Sequence, residues 1–235
     1  MMLDLLKIAQ VWRCKDLVVL TDLARCEDRD AVFPVCAENI MFAERLRVHE
    51  GDRVLDLGTG SGFLALVASR TAAIVVATDI NPRAVRFARA NVALNGLQER
   101  IDVRQGDLFE PVPGQRFDCI LANPPFEPTP ANRRQCVHSD GGRSGLVTTV
   151  RILARAAEHL VDGGILQLLT YVPDADALDD LASTHYLKLR IESLGKTRPT
   201  WVRMQAGSGD VGVDPSAREL PVYLLTLQSR RGPVQ

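Results

Sequence analysis

Short apolar runs and longer stretches with apolar residues on one helical face alternate along most of this 235-residue chain. Val54-Leu55-Asp56-Leu57, Ile74 to Thr78, Ile101-Asp102-Val103 and Cys119-Ile120-Leu121 are runs of the length and composition of buried strands. Helical patterns separate them. Phe63 to Ser69 is one, and residues 82 to 95 are another, with Val85, Ala88 and Val92 on one face and a C-cap at Asn95-Gly96. A third spans Ser144 to Leu160, with Leu146, Val150, Leu153, Ala157 and Leu160 in register, and Asp162-Gly163-Gly164 is expected to end it. Ile165 to Tyr171, Tyr186 to Leu194 and Val222 to Leu227 complete the strands, and the acidic segment Asp174 to Leu181 starts one more helix. This alternation predicts an α/β fold, a doubly wound sheet with ligands along its carboxyl edge.

Two stretches lie outside the alternation. Leu3, Leu6, Ile8 and Val11 with Trp12 stand at helical spacing and predict a short helical cap over residues 1 to 30, either packed on the domain or part of a substrate site. The 27 residues from Gly195 to Pro221, rich in Gly, Arg and Asp, form an insertion loop within the main domain, 31 to 235. Ala31-Val32-Phe33-Pro34-Val35 leads into a helix carrying Ile40, Met41, Ala43 and Leu46, and this segment is expected beside a bound cofactor.

Composition narrows the class. With 46% hydrophobic residues the chain can build one sizeable core, and a formal net charge of -1 supplies no general attraction to nucleic acid or to an anionic membrane. No apolar run approaches the ~20 residues of a membrane-spanning helix. The five cysteines form no Cys-x-x-Cys pair and no His stands at ligand spacing, so neither a metal site nor a disulfide framework is expected. An amino terminus too charged for a secretory signal completes the expectation of a reducing, cytoplasmic location.

The candidate chemistry sits at the strand ends. Gly58-Thr59-Gly60-Ser61-Gly62 lies between a strand and a helix, where a Gly-rich turn lets a nucleotide approach the backbone. Asp79 ends the next strand, 23 residues after Asp56, where a carboxylate can accept both hydroxyls of a ribose. It can also be read as the N-cap of the helix opened by Asn81 and Pro82. Asp107, with Leu108 beside it, can accept from an adenine amino group or serve as a turn residue. The fourth strand runs into Asn123-Pro124-Pro125-Phe126. The prolines fix φ and lack N–H groups, leaving the carbonyls of Asn123 and Pro124 short of local donors. A planar NH₂ would supply two, and Phe126 could stack on the group that carries it. Read alone, the tetrapeptide also fits a strand end followed by a Pro-Pro turn. Glu127 to Gly142 is a polar loop and a candidate rim of the acceptor pocket, in which His138 is expected to be a hydrogen-bonded loop residue and not a catalytic base.

The order of these motifs resembles the class I S-adenosylmethionine-dependent methyltransferases over residues 31 to 228. The resemblance implies a mostly parallel seven-stranded sheet with the last strand antiparallel. It implies a methionine subsite at Asp56, Gly58, Thr59 and Gly60, a ribose subsite at Asp79 and Ile80, and an adenine subsite at Asp107 and Leu108. Phe33 and Asn123 are expected beside the same S-adenosyl-L-methionine. Asn-Pro-Pro-Phe is similar to the motif of N-methyltransferases that act on planar nitrogens, and Asp140-Gly141-Gly142-Arg143-Ser144-Gly145-Leu146 is similar to an element of the HemK-like, "methyltransferase small domain" branch. That branch implies a protein glutamine as acceptor. Residues 1 to 30 are shorter than the helical amino-terminal domain of such enzymes, so a nucleic-acid base (adenine-N6 or guanine-N2) or a small natural product stays open as acceptor. A nucleic-acid acceptor would call for a basic rim at Arg133, Arg134, Arg198 and Arg203. A cofactor-binding subunit without activity is the reading from a different class.

Overall fold

The computed structural model describes residues 9–23, 28–129, 136–172, 186–197 and 220–229. Its centre is a seven-stranded sheet built from β3 (Arg53–Leu57), β4 (Ile74–Asp79), β5 (Ile101–Gln105), β6 (Phe117–Ala122), β7 (Leu160–Tyr171), β8 (Tyr186–Thr197) and β9 (Leu220–Ser229). The spatial order is β5-β4-β3-β6-β7-β9-β8. β5, β4, β3, β6 and β7 run parallel, and β9 is antiparallel to both of its neighbours. This is the doubly wound sheet that the strand–helix alternation predicts, with the seven strands and antiparallel last strand that the family resemblance implies.

Period-two alternation divides the strand residues between two apolar layers. Val54, Val75, Cys119 and Leu121 pack on one face with α2 (Phe63–Ala68) and α3 (Pro82–Leu94). Leu55, Val76, Ile120 and Ala122 pack on the other with α4 (Val147–Ala156). Because both faces are covered, the strands read as continuous apolar runs. The strand order reverses between β3 and β6, which opens a crevice at their carboxyl ends.

The amino-terminal expectation is corrected. Ala9–Cys14 (β1) and Leu17–Asp22 (β2) form an antiparallel hairpin, so Val11 and Trp12 lie on a strand and not on a helix; Leu3, Leu6 and Ile8 lie outside the described residues. The reason is tertiary. The outer edge of β2 is hydrogen-bonded by two side chains at the carboxyl end of α3, Asn91 and the C-cap Asn95: the Asn91 amide accepts from Leu20 N (2.8 Å) and donates to Leu20 O (2.8 Å), and the Asn95 amide does the same for Val18 (3.0 and 2.8 Å). One helix turn apart, these amides stand in for a neighbouring strand.

Boundaries differ in three more places. The third helix ends at Ala156 with a 3₁₀ turn over Ala157–His159, so Leu160 opens β7 and Asp162-Gly163-Gly164 falls within that strand, opposite a register shift in β6. β8 and β9 are longer than their apolar patterns and extend into the predicted loop. The Asp174 to Leu181 helix and the loop interior lie outside the described residues. Finally, α1 (Ala37–Ala43) follows the Ala31–Val35 segment as expected and carries Ile40, Met41 and Ala43, but it ends before Leu46, the last apolar position expected on it.

Candidate active site

The crevice at the ends of β3, β4 and β6 holds a cavity of about 340 Å³. Its lining includes all of the predicted site residues: Phe33, Asp56, Gly58, Thr59, Gly60, Asp79, Ile80, Asp107, Leu108 and the whole of Asn123 to Phe126. They come from five separate parts of the chain, brought together because parallel strands carry their following turns to one edge.

At the end of β3, Asp56 is 1% exposed, and its Oδ2 accepts from the Thr59 hydroxyl (2.6 Å) and from Ala65 N (3.1 Å). Burial pushes its carboxyl from the ordinary 3.8 up to about 7, against these two hydrogen bonds and with a contribution from the nearby Asp79 charge. The turn that follows is left-handed at Gly58 and Gly60, with φ of 66° and 58°, and an added Cβ at either would project into open space. That bare backbone is what a ligand needs for close approach.

The Gly-rich turn is pinned to the end of β4. Thr59 N donates to Thr78 O (2.9 Å), and Gly60 N donates to Asp79 Oδ2 (2.8 Å). The other Asp79 oxygen accepts from Asn81 N (2.8 Å), while Asn81 itself caps α3 by accepting from Arg83 N (2.9 Å). Asp79 is therefore not the cap. Each of its oxygens keeps a further lone pair for a ligand hydroxyl. Burial raises its pKa, opposed by the two backbone donors. Ile80, beside it, is 55% exposed, an apolar side chain left for a ligand to cover.

At the end of β5, Leu108 adopts a left-handed φ of 49°, uncommon for a branched residue, and Thr78 Oγ1 donates to its carbonyl (3.1 Å). Asp107 Oδ2 accepts from Arg151 Nη2 of α4 at 2.6 Å. Neither the strained Leu108 nor the Arg151 contact has a signal in the sequence.

β6 delivers Asn123. Among the described residues no backbone N–H reaches the carbonyls of Asn123 or Pro124, in line with the expectation for a Pro-Pro exit. The next turns explain the second glycine element. Glu127 pairs with the 139–141 segment through Glu127 N to Ser139 O and Gly141 N to Glu127 O, both 2.9 Å. Gly141 and Gly145 are packed so closely that a Cβ on either would lie within 2.7 Å of a backbone oxygen, that of Gly145 and of Phe126 respectively. The Asp140 to Leu146 element thus braces the Asn-Pro-Pro-Phe segment from beneath.

On the far wall Phe33 stacks on His138, centroids 5.0 Å apart at 24°. The His138 Nδ1 lies 3.2 Å from Ala31 O and donates to it, the hydrogen-bonded loop role expected of it. Cys36 also lines the cavity, but burial and the Glu38 charge push its thiol up to about 12, so it stays protonated. Arg133, Arg134, Arg198 and Arg203, the predicted basic rim, lie outside the described residues. Among the described residues no group of three His, Cys, Asp or Glu could hold a metal ion, and no helix is long and apolar enough to cross a membrane.

A release factor glutamine methyltransferase of Gloeobacter violaceus is 42% identical over 129 residues, covering 50% of this chain and 45% of that protein. A ribosomal protein uL3 glutamine methyltransferase of Bradyrhizobium diazoefficiens is 43% identical over 126 residues, 49% of this chain and 40% of that one. The chain thus spans about half the length of the curated relatives it matches. Among solved structures, the M. jannaschii tRNA m1G37 methyltransferase superposes with a TM-score of 0.62 at 17% identity, over 96% of this chain and 58% of that one. A ribosomal protein L11 methylase of Lactobacillus delbrueckii superposes with 0.52 at 22%, over 82% of this chain and 77% of that one. These likenesses show a common Rossmann-like fold. Residues 38–175 match the family model described as the methyltransferase small domain, and the chain belongs to that family, in its HemK-like branch.

Proposed function

We propose that this chain is an S-adenosylmethionine-dependent N-methyltransferase that modifies a planar amide nitrogen, the side chain of a protein glutamine. The observation that carries the reading is that Asn123 to Phe126 and the Gly-rich turn with Asp56 and Asp79 line one cavity. The likeness to glutamine methyltransferases favours the protein acceptor over a base or a small metabolite.

The residues present fit the cofactor. The open backbone at Gly58 and Gly60 gives room for the methionine end, and the free lone pairs of Asp79 suit ribose hydroxyls. Exposed Ile80, left-handed Leu108 and the Asp107 carboxylate suit an adenine. When bound, S-adenosylmethionine supplies a methyl group activated by its sulfonium.

The chain supplies acceptor chemistry. A primary amide nitrogen is a poor nucleophile because its lone pair is delocalised. The side-chain carbonyl of Asn123 and the main-chain carbonyl of Pro124, both on the cavity wall, accept its two N–H bonds, fix its orientation and stabilise the positive charge that develops as it attacks. Phe126 packs against the flat amide.

The test is calorimetric titration with S-adenosylmethionine, followed by transfer of labelled methyl groups to separated protein, nucleic-acid and small-molecule pools. Cofactor binding with label on a protein glutamine is the expected result. Label confined to nucleic acid or to small molecules removes the glutamine reading, and absence of cofactor binding removes the enzyme reading altogether.

A further inference from the structure

Thr148 and Arg151 stand three positions apart on α4, on one helix face, and both line the cavity. α4 follows directly on the glycine element that braces Phe126, so it belongs to the acceptor side. Across the cavity, Arg151 Nη2 reaches Asp107 Oδ2 at the end of β5. We propose that Arg151 is a positioning residue for the adenine end of the cofactor: it holds the Asp107 carboxylate oriented so that its second oxygen accepts from the exocyclic amino group of the base. This inference rests on the reading of the cavity as an adenosyl site.

Three observations converge on it. The Asp107 side chain is 28% exposed, and among the described residues Arg151 is its hydrogen-bond donor. The contact engages a single oxygen, Oδ2, and leaves Oδ1 with both lone pairs; a bidentate fork would have consumed the pair. The neighbouring backbone is already fixed, because the left-handed Leu108 is held through its carbonyl by Thr78. The Arg151 contact thus orients the Asp107 carboxylate beside a backbone that is already held.

An ionised carboxylate accepts hydrogen bonds and cannot donate. Held as proposed, it selects a base bearing an amino group over one bearing a carbonyl at the same position. The test compares binding of S-adenosylhomocysteine and S-inosylhomocysteine, by calorimetry, to the full chain and to its Arg151→Gln and Arg151→Lys variants. Arg151 is 52% exposed, so the variants should fold, with unchanged thermal midpoints as the control. For Arg151→Gln we expect S-adenosylhomocysteine affinity to fall roughly three- to ten-fold, the scale of a partly exposed charged hydrogen bond. S-Inosylhomocysteine should change less, so that the preference between the two shrinks, and Arg151→Lys should restore part of it. An unchanged affinity, or an equal loss for both ligands, overturns the positioning role. Failure of the unsubstituted protein to bind S-adenosylhomocysteine at all overturns the cofactor reading on which it rests.

Discussion

Gly145 lies directly against the backbone of Phe126: at its φ of +77°, a Cβ would come within 2.7 Å of the Phe126 carbonyl oxygen. No side chain can be accommodated there without moving the Asn-Pro-Pro-Phe segment. The bare Cα lets the glycine element seat under the acceptor side of the cavity, and it ties α4 to the same unit. Gly145→Ala is expected to cost about 1–3 kcal/mol in stability, from the left-handed backbone and the clash together. It should lower turnover far more than cofactor affinity. Chemical denaturation and calorimetry on the variant would separate the two effects, and equal losses in both would argue against a local role under Phe126.

Asn123 follows directly on the buried residues Cys119 to Ala122 of β6 and lines the cavity, a polar residue at the edge of the core. Asn123→Ala should therefore leave the fold intact, with turnover reduced by about 10²–10³, the scale of losing an oriented group that stabilises developing charge. S-Adenosylmethionine affinity should stay nearly intact. A variant that turns over normally would remove Asn123 from the reaction.

Asp56 gives a pH dependence whose sign can be worked out. Its folded-state pKa of about 7 lies above the ordinary 3.8, so the folded protein holds this proton more tightly than the unfolded chain. The resulting contribution to stability is fully present below pH 3.8, declines as pH rises through about 7, and is constant above that. Over the same interval Asp56 becomes a carboxylate, which favours a cationic ligand. Apo-protein stability should thus fall from pH 5 to pH 8 while S-adenosylmethionine affinity rises. Asp56→Asn should flatten the Asp56 part of both profiles, and a variant that tracks the parent protein would locate the titration elsewhere.

Asn91 is fully buried and makes three hydrogen bonds, two with Leu20 of the hairpin and one of 2.7 Å to Ser61 O in the Gly-rich turn. Asn91→Ala should cost about 2–4 kcal/mol, because it leaves one N–H and two carbonyls inside without partners. Asn91→Asp should cost at least as much, since it sets a buried carboxylate against those carbonyls. Hydrogen exchange would read the effect directly. The Leu20 amide should lose protection along with the 58–62 turn, and loss confined to the hairpin would show that the two are not coupled.

The strand-end half of the cavity lining was legible in sequence because each residue is tied to a strand end. Apolar runs mark β3, β4, β5 and β6, and a parallel sheet carries Asp56, Asp79, Asp107 and Asn123 to a common edge. A competing local reading persisted only where one residue type suits two jobs. Asp79 beside Asn81-Pro82 is the example, and it took the Asn81 side chain bonding Arg83 N to identify the cap. The amino-terminal hairpin was misread for a related reason. Spacing reports which positions are apolar, while the strand state of β2 depends on hydrogen bonds from Asn91 and Asn95, more than 70 residues away.

The sequence by itself determined the doubly wound sheet, its two apolar layers, and the strand-end residues that meet in the cavity, because local periodicity and the order of motifs along a doubly wound chain leave little freedom in where strand ends go. Only the tertiary structure decided what through-space contact controls. It set the Asp107–Arg151 pair across the cavity, the left-handed Leu108, the raised Asp56 carboxyl and the bracing of Phe126 by Gly145. Burial, charge proximity and steric fit are properties of neighbours in space, and the chain pattern fixes neighbours only along the chain.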